Sequence, residues 1–421
     1  MLNLIKKVCR NKILVVLMVL VVVFTPQSFY LQEINKLREI VTCIGIDKTE
    51  EGVEFSILHI VPKSSSGTGQ NVEIATARGE NIADVLNKIS LNLGKIISFA
   101  HCDVVLVSEK ILEEGITKFL DFLMRKNNLT TSALVVGCEK AKDTLETIKS
   151  SKILASQSLR ELIEYNNKFI FTGESSVENF YQDYFSESGI SFLPVISVSG
   201  DSNQKQSGAG GSSNESSVNS SSSNTESSSS AEGGLGDAGG GSQDIANNGD
   251  TYVLLKGKRV LKLNDYAVKL FNILSLDVDV SNLVAKDFKD EDGVVKTIST
   301  ETNSKSITKI CEFVDGKPIV HYVVKLILAV DEIEAENYDI EDLDRAEPPI
   351  SKQAKLALEE EFEKLFIGTV KLCKSSGLDL FRVQKFFSRM RSDEWKKYFA
   401  NNSENPFEKM LFSYELQIVT K

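Results

Sequence analysis

The stretch "ENIADVLNKISLNLGKIISFAHCDVVLVSEKILEEGITKFLDFLMRK", residues 80–126, decides the fold. Ile82, Val85, Leu86, Ile89, Leu93 and Ile96 recur at three- and four-residue spacing, which puts them on one face of a helix. "CDVVLVS" (102–108) then reads as a strand, and "EKILEEGITKFLDFLMRK" returns to helical spacing through Ile111, Leu112, Ile116, Phe119, Leu120 and Leu123. Working outward, "REIVTCIGID" (38–47) and "VEFSILHIVP" (53–62) read as strands joined by the turn "KTEEG", where Gly52 can supply a positive φ. "TSALVVGC" (131–138) is a further strand, followed by the polar helix "EKAKDTLETIKS" (139–150). Such alternation predicts an α/β layer with helices packed on a sheet. "LRELIEYNNKF" and "VENFYQDYF" add helices, and "GISFLPVISV" (189–198) adds one more strand.

Residues 200–250 interrupt this pattern with "SSVNSSSSNTESSSSAEGGLGDAGGG" at their centre. So few apolar side chains cannot offset the entropy of ordering, so the tract is expected to be a flexible loop or linker. Its functional readings are a regulatory substrate or an envelope tether. Both flanks look like strands, so it can separate two bodies or be an oversized loop within one sheet. Beyond it, "TYVLLKGKRVLKLND" (251–265) predicts a hairpin turning at Gly257, and "DYAVKLFNILS" a helix. "VVKTISTETNSKSITKI" and "KPIVHYVVKLILAVDEIEA" alternate as half-buried antiparallel strands. A long amphipathic helix runs from Ile350 to Lys374, "LFRVQKFFSRMRSDEWKKYF" (380–399) is helical, and "KMLFSYELQIVTK" ends the chain as a strand.

At the other end, "ILVVLMVLVVVF" follows Lys6, Lys7, Arg10 and Lys12, the n-region and h-region pattern of an export signal. The apolar residues are Ile13, Leu14, Val15, Val16, Leu17, Val19, Leu20, Val21, Val22, Val23 and Phe24. "TPQSFYL" after them offers no small-x-small cleavage site, which favours an uncleaved anchor. Twelve helical residues span only about 18 Å, and extension through Leu31 reaches about 28 Å, close to the bilayer's roughly 30 Å core. The basic side stays in the cytoplasm, so everything after Leu31 lies outside. The expected organisation is a signal-anchor at 1–31, an N-terminal α/β region at 32–199, the Ser/Gly-rich loop at 200–250 and a C-terminal α/β region at 251–421. The fold class is mixed α+β or α/β in about three domains behind a membrane helix.

Among the 421 residues, 42% are apolar and the net charge is −11, with no basic, aromatic-interleaved patch, which argues against a nucleic-acid partner. Cys9, Cys43, Cys102, Cys138, Cys311 and Cys373 stand singly, without metal-ligand spacing, and most read as small buried hydrophobes rather than disulfide partners. His101 and Cys102, as neighbours in a strand, point to opposite faces and cannot act as base and nucleophile. P-loop, GxSxG and HExxH motifs are absent, so no catalytic, cofactor-binding or metal site is expected. The acidic run "VDEIEAENYDIEDLDRAEPP" (330–349) reads as a solvated face or loop; it could hold calcium weakly but lacks the spaced loop of a dedicated site.

Several short motifs, in order, carry a resemblance. "EINKL" and "IGIDK" supply Glu33, Ile34, Gly45, Ile46, Asp47 and Lys48, and Arg78, Gly79 and Glu80 follow. "SFAHCDVVLVSEKILEEGITKFLDFLMR" then supplies His101, Glu109, Gly115 and Arg125, and "GLDLFRVQKFFSRMRSDEWKKYF" supplies Asp379, Phe381 and Trp395. Together they resemble the Ger(x)C lipoprotein family, the C subunits of spore nutrient germinant receptors. Where that family carries its lipidated Cys, this chain has Ser28, and Phe29 and Tyr30 replace Trp-Asp. Without the thiol, lipidation at that point is impossible, and the apolar helix is left as the anchor. The resemblance implies a non-enzymatic subunit of three α/β domains on the outer face of the spore inner membrane. Its implied partners are A and B membrane subunits, which together sense nutrients and trigger release of core ions and dipicolinate.

Two other readings stay open: an anchored solute-binding protein that captures the nutrient itself, and an envelope hydrolase using carboxylates that no motif reveals. Nutrient capture calls for a concave pocket with convergent polar groups, docking calls for an apolar patch with a polar rim, and hydrolysis calls for a cleft carboxylate of raised pKa. Asp47 and His101 are expected to hold the first region together through hydrogen bonds.

Overall fold

The computed structural model describes residues 38–61, 71–150, 157–166, 175–198, 245–246, 250–276, 281–291, 293–335 and 350–420, with positions 16, 20 and 278 besides. The first sheet has the order β3-β2-β1-β5-β6, built from β1 (Arg38–Thr49), β2 (Gly52–Val61), β3 (Asn71–Gly79), β5 (Val104–Ser108) and β6 (Leu134–Cys138). A short β4 (Ile96–Ser98) pairs in parallel with the start of β1. β1, β5 and β6 run parallel, while β2 and β3 return as antiparallel hairpins.

The period-two alternation of these strands sorts their side chains onto two helical layers. Ile44, Ile46, Phe55, Ile57, Val105 and Val107 pack against α1 (Ile82–Leu93), α2 (Glu109–Glu114) and α3 (Thr117–Asn127). Cys43, Leu58, Val104, Leu106, Val136 and Cys138 pack on the opposite face against α4 (Ala141–Ser150) and α5 (Gln157–Asn166). Gly45 lies where α4 crosses β1: a Cβ there would meet Leu145 Cδ1 at 2.9 Å and Ala141 Cβ at 3.2 Å. The helix that reads as polar in sequence is therefore held by a narrow apolar seam of Ala141, Leu145 and Ile148.

After α6 (Val177–Phe185), the middle sheet takes the antiparallel order β11-β10-β7, from β7 (Ile190–Pro194), β10 (Thr251–Leu255) and β11 (Lys258–Lys262). Thr251 pairs with Pro194, so β7 and β10 flank the Ser/Gly-rich tract within one sheet, and β8 (Ser197–Val198) pairs with β9 (Ile245–Ala246) in a separate two-stranded sheet. Leu193, Val195, Tyr252 and Leu254 face the first core, whereas Ile190, Phe192 and Val253 face the second.

That second core lies beneath a sheet of order β12-β13-β14-β15: β12 (Asn282–Lys289), β13 (Val295–Val314), β14 (Lys317–Ala335) and β15 (Leu411–Thr420). β15 lies parallel to β14, and the other pairs are antiparallel. Val320, Tyr322, Val324, Leu326 and Leu328 point inward against α7 (Asp265–Leu274), α8 (Lys352–Ser376), α9 (Gln384–Met390) and α10 (Ser392–Asn401). The region expected to be helical over 380–399 forms two helices, α9 and α10, from Gln384 onward, separated at Arg391, whose φ of −137° is not helical. β3, β4 and β12 were not legible in the sequence. β3 and β12 each pair with one neighbour in these sheets and carry few fully buried side chains, and β4 spans only three residues.

The proposed anchor residues and Glu33 lie outside the described residues, apart from Val16 and Leu20, which are helical and exposed; residues 336–349 of the acidic run also lie outside. Among the described residues no helix is long and apolar enough to cross a membrane.

Because β7 and β10 already hold the two ends of the tract together, deleting Ser212–Ser230 is expected to leave the unfolding midpoint unchanged or slightly raised. Each halving of a flexible loop changes its closure cost by only about 0.6 kcal/mol. Thermal unfolding of the deletion variant checks this, and a marked fall in midpoint would show that the tract packs on the fold.

Candidate functional site

The motif residues do not converge on one cleft. Asp47, at the end of β1, accepts hydrogen bonds from the backbone amides of Ala141 (2.9 Å) and Lys142 (2.8 Å), capping α4 across the sheet. Asp379 does the same in the second half, accepting from Val383 and Gln384 at 2.8 Å each where α9 begins. Each carboxylate satisfies amides that a helix start leaves without partners. Burial raises both carboxyls above their ordinary pKa, while the two amide donors on each pull the other way.

Glu109 accepts from the Tyr252 hydroxyl and lies 3.6 Å from Arg259, tying α2 to the middle sheet. Arg125 forms an exposed i,i+4 pair with Asp121 on α3, and Trp395 stacks on Phe387 in the second core with centroids 5.3 Å apart. His101 is exposed in the turn before β5 and makes no hydrogen bond to a described residue, whereas Cys102 beside it is buried. The expected bracing role therefore falls to Asp47 alone.

The buried histidine is His59. Its Nδ1 lies 2.8 Å from Glu39 Oε1, both side chains are buried, and Lys95 reaches the other Glu39 oxygen. Sequence inspection misses this cluster because Glu39, His59 and Lys95 meet only through strand register and the β4 crossover. It sits at the end of the sheet where β1 begins, with no nucleophile in the cluster. Among the described residues no group of three or more His, Cys, Asp or Glu side chains could hold a metal ion.

An open groove of about 760 Å³ runs between α8 and β15. Phe366, Ile367, Val370, Phe412 and Tyr414 supply apolar lining, and Lys371, Lys374 and Glu408 supply charge. Ser413 lines the groove together with Phe412 and Tyr414, its neighbours on the opposite strand face, so the groove follows the strand's margin. Among the described residues β15 pairs only with β14, so no other described strand pairs with its second edge. An apolar channel beside such an edge suits an extended segment that adds as a further strand.

Comparison with known proteins matches residues 32–198 to the family described as "Spore germination protein N-terminal domain" and residues 250–418 to "Spore germination B3/ GerAC like, C-terminal". The chain belongs to this GerAC-like family of spore germination proteins. Over 143 residues it is 32% identical to "Spore germination protein KC" of Bacillus subtilis (strain 168), covering 32% of this chain and 35% of that one. Over 128 residues it is 26% identical to "Putative spore germination protein YfkR" of the same organism, covering 30% and 32%. The chain thus spans about a third of the length of the curated relatives it matches. The solved structure titled "Crystal Structure of the GerBC protein" aligns with a TM-score of 0.48 at 12% identity, covering 90% of this chain and 96% of that one.

Two outcomes follow from the geometry. Asp47→Ala strands two amides of α4 and should cost about 1–3 kcal/mol in urea unfolding, whereas His101→Ala should stay within about 0.5 kcal/mol of the parent. Burial also pushes the Cys311 thiol up to about 11 and the Cys373 thiol up to about 12, and raises Cys43, Cys102 and Cys138 as well. In a Cys9→Ser chain at pH 8, a thiol reagent should find all five inert until denaturant is added; fast native reaction at any of them would contradict this packing.

Proposed function

We propose that the chain is the C subunit of a spore nutrient germinant receptor: a non-enzymatic docking and signalling subunit on the outer face of the spore inner membrane. Its partners in this reading are the membrane-embedded A and B subunits. Family membership of both halves supports the setting. The observation that carries the docking role is the groove between α8 and β15, lined by apolar and charged side chains beside a strand edge with which no other described strand pairs.

A nutrient-binding protein encloses its ligand and converges polar groups on it. Here the polar groups Lys371, Lys374 and Glu408 flank an open apolar channel, which favours a partner's polypeptide over a small solute. The carboxylates of raised pKa, Asp47 and Asp379, are engaged by helix amides rather than facing a cleft, which weighs against hydrolysis.

Spores lacking this chain are expected to lose their nutrient response, measured by optical density and dipicolinate release, while still answering a nutrient-independent trigger. In spores carrying a tagged chain, Ile367→Asp places a charge at a half-exposed groove position and should reduce co-purification of the A and B subunits about tenfold or more, with the chain itself at normal level. Undiminished co-purification, together with direct nutrient binding by the purified chain, would move the solute-binding reading to the front.

A further inference from the structure

We infer that the groove between α8 and β15 selects an extended partner segment in which an acidic and a basic residue, about four positions apart, flank an apolar one. This assignment rests on the docking role proposed above and adds the chemistry of the segment that docks.

Helix spacing sorts charge along the groove. On α8, Glu363, Ile367, Val370 and Lys374 recur at four-, three- and four-residue spacing and so lie on one face, with Glu359 a turn before them and Lys371 beside them. Ile367, Val370, Lys371 and Lys374 line the groove, and Ile367, between the opposite charges, is 56% exposed. Tyr414, which also lines it, places the acids at the other end: burial raises its hydroxyl above the usual range, and the nearby Glu363 and Glu359 carboxylates raise it further. Among the described residues, Glu359, Glu363, Lys371 and Lys374 stand in no ion pair; Lys364 and Glu361 form one on the same helix. Glu408, just ahead of β15, lies at the lysine end, where Asn405 bonds Lys374 O, and offsets only one of the two cations.

The path of β15 orders these charges along a strand edge. The Tyr414 ring lies 4.8 Å from that of Phe366 and 5.1 Å from that of Phe362, whereas Phe412, earlier in the strand, lies 5.0 Å from Phe381, beyond the end of α8. β15 therefore runs back along the helix from the lysines toward the glutamates. A segment added to its second edge points every other side chain to the same face. Glu363 and Lys371 are separated by about 12 Å along the helix axis, and four strand residues cover about 13 Å. The first and fifth side chains of such a segment then reach the two charged ends, while the third meets Phe366, Ile367 and Val370. Added parallel to β15, the segment carries acid, apolar and base in that order; added antiparallel, it carries the reverse. A segment of uniform charge is rejected in either direction, because one end always meets a like charge.

The test uses spores carrying the tagged full chain and reads co-purification of the A and B subunits, with the thermal unfolding midpoint of each purified variant as a control for folding. Lys371→Glu with Lys374→Glu reverses one end, and Glu359→Lys with Glu363→Lys reverses the other. Each pair is expected to reduce co-purification about fivefold or more at an unchanged midpoint. Replacing all four by Gln adds no like-charge contact, and is expected to abolish the fall in co-purification that rising salt causes in the parent. Reversals that stay within about twofold of the parent, or a parent complex indifferent to salt, overturn the charge assignment, and docking still stands if Ile367→Asp disrupts it. If Ile367→Asp has no effect either, the docking role of the groove falls and this assignment falls with it.

Discussion

In the small β7–β10–β11 sheet, β7 and most of β10 are buried on both faces, and the rest of the molecule depends on that constraint. Leu193, Tyr252 and Leu254 fill the first core while Phe192 and Val253, their neighbours in the same strands, fill the second. Two α/β layers are thereby joined through one sheet rather than through a hinge. The seam is reinforced where the α2–α3 turn meets the β10–β11 hairpin. The amide of Ile116 donates to Gly257 O at 3.0 Å, and a Cβ on Gly257 would fall 2.3 Å from Thr117 Oγ1. Arg382 completes it from the other side, bonding Asp183 at 2.9 Å and covering the ring of Phe192. A long insertion is tolerated between β7 and β10 because sheet pairing, not the connecting chain, sets their positions.

Four of the residues that carry the resemblance in the sequence hold this body together. Asp47 and Asp379 each pin a helix start, Glu109 binds the middle sheet through Tyr252, and Trp395 fills the second core against Phe387. The docking role proposed above falls instead on a surface, the groove between α8 and β15. That surface depends on solvent-facing side chains, which packing constrains least.

Much of the layer pattern was legible because burial imposes periodicity. α1 shows it from Ile82 to Leu93, although Ile96, expected on the same helix face, lies in β4 and is exposed. The stretch expected as one helix after β5 divides at Gly115 into α2 and α3, and β14 shows strict alternation from Val320 to Leu328. The polar helix α4 was visible as a helix but its packing was not, since three apolar residues suffice where Gly45 lets it sit close to the sheet. The Glu39–His59–Lys95 cluster left no mark in the sequence, because strand register and a crossover bring its members together from three separate segments.

By itself, the sequence determined the kind of elements, the apolar faces that drive them together, the scattered buried cysteines and the family, because each is written in local composition or motif order. Only the tertiary structure decided that β7 and β10 pair across the Ser/Gly-rich tract, that Asp47 rather than His101 braces the first layer, and that among the described residues β15 pairs only with β14, beside α8. Those outcomes depend on which strands become neighbours and in what register, and long-range pairing is set by the packing of the whole chain rather than by any segment of it.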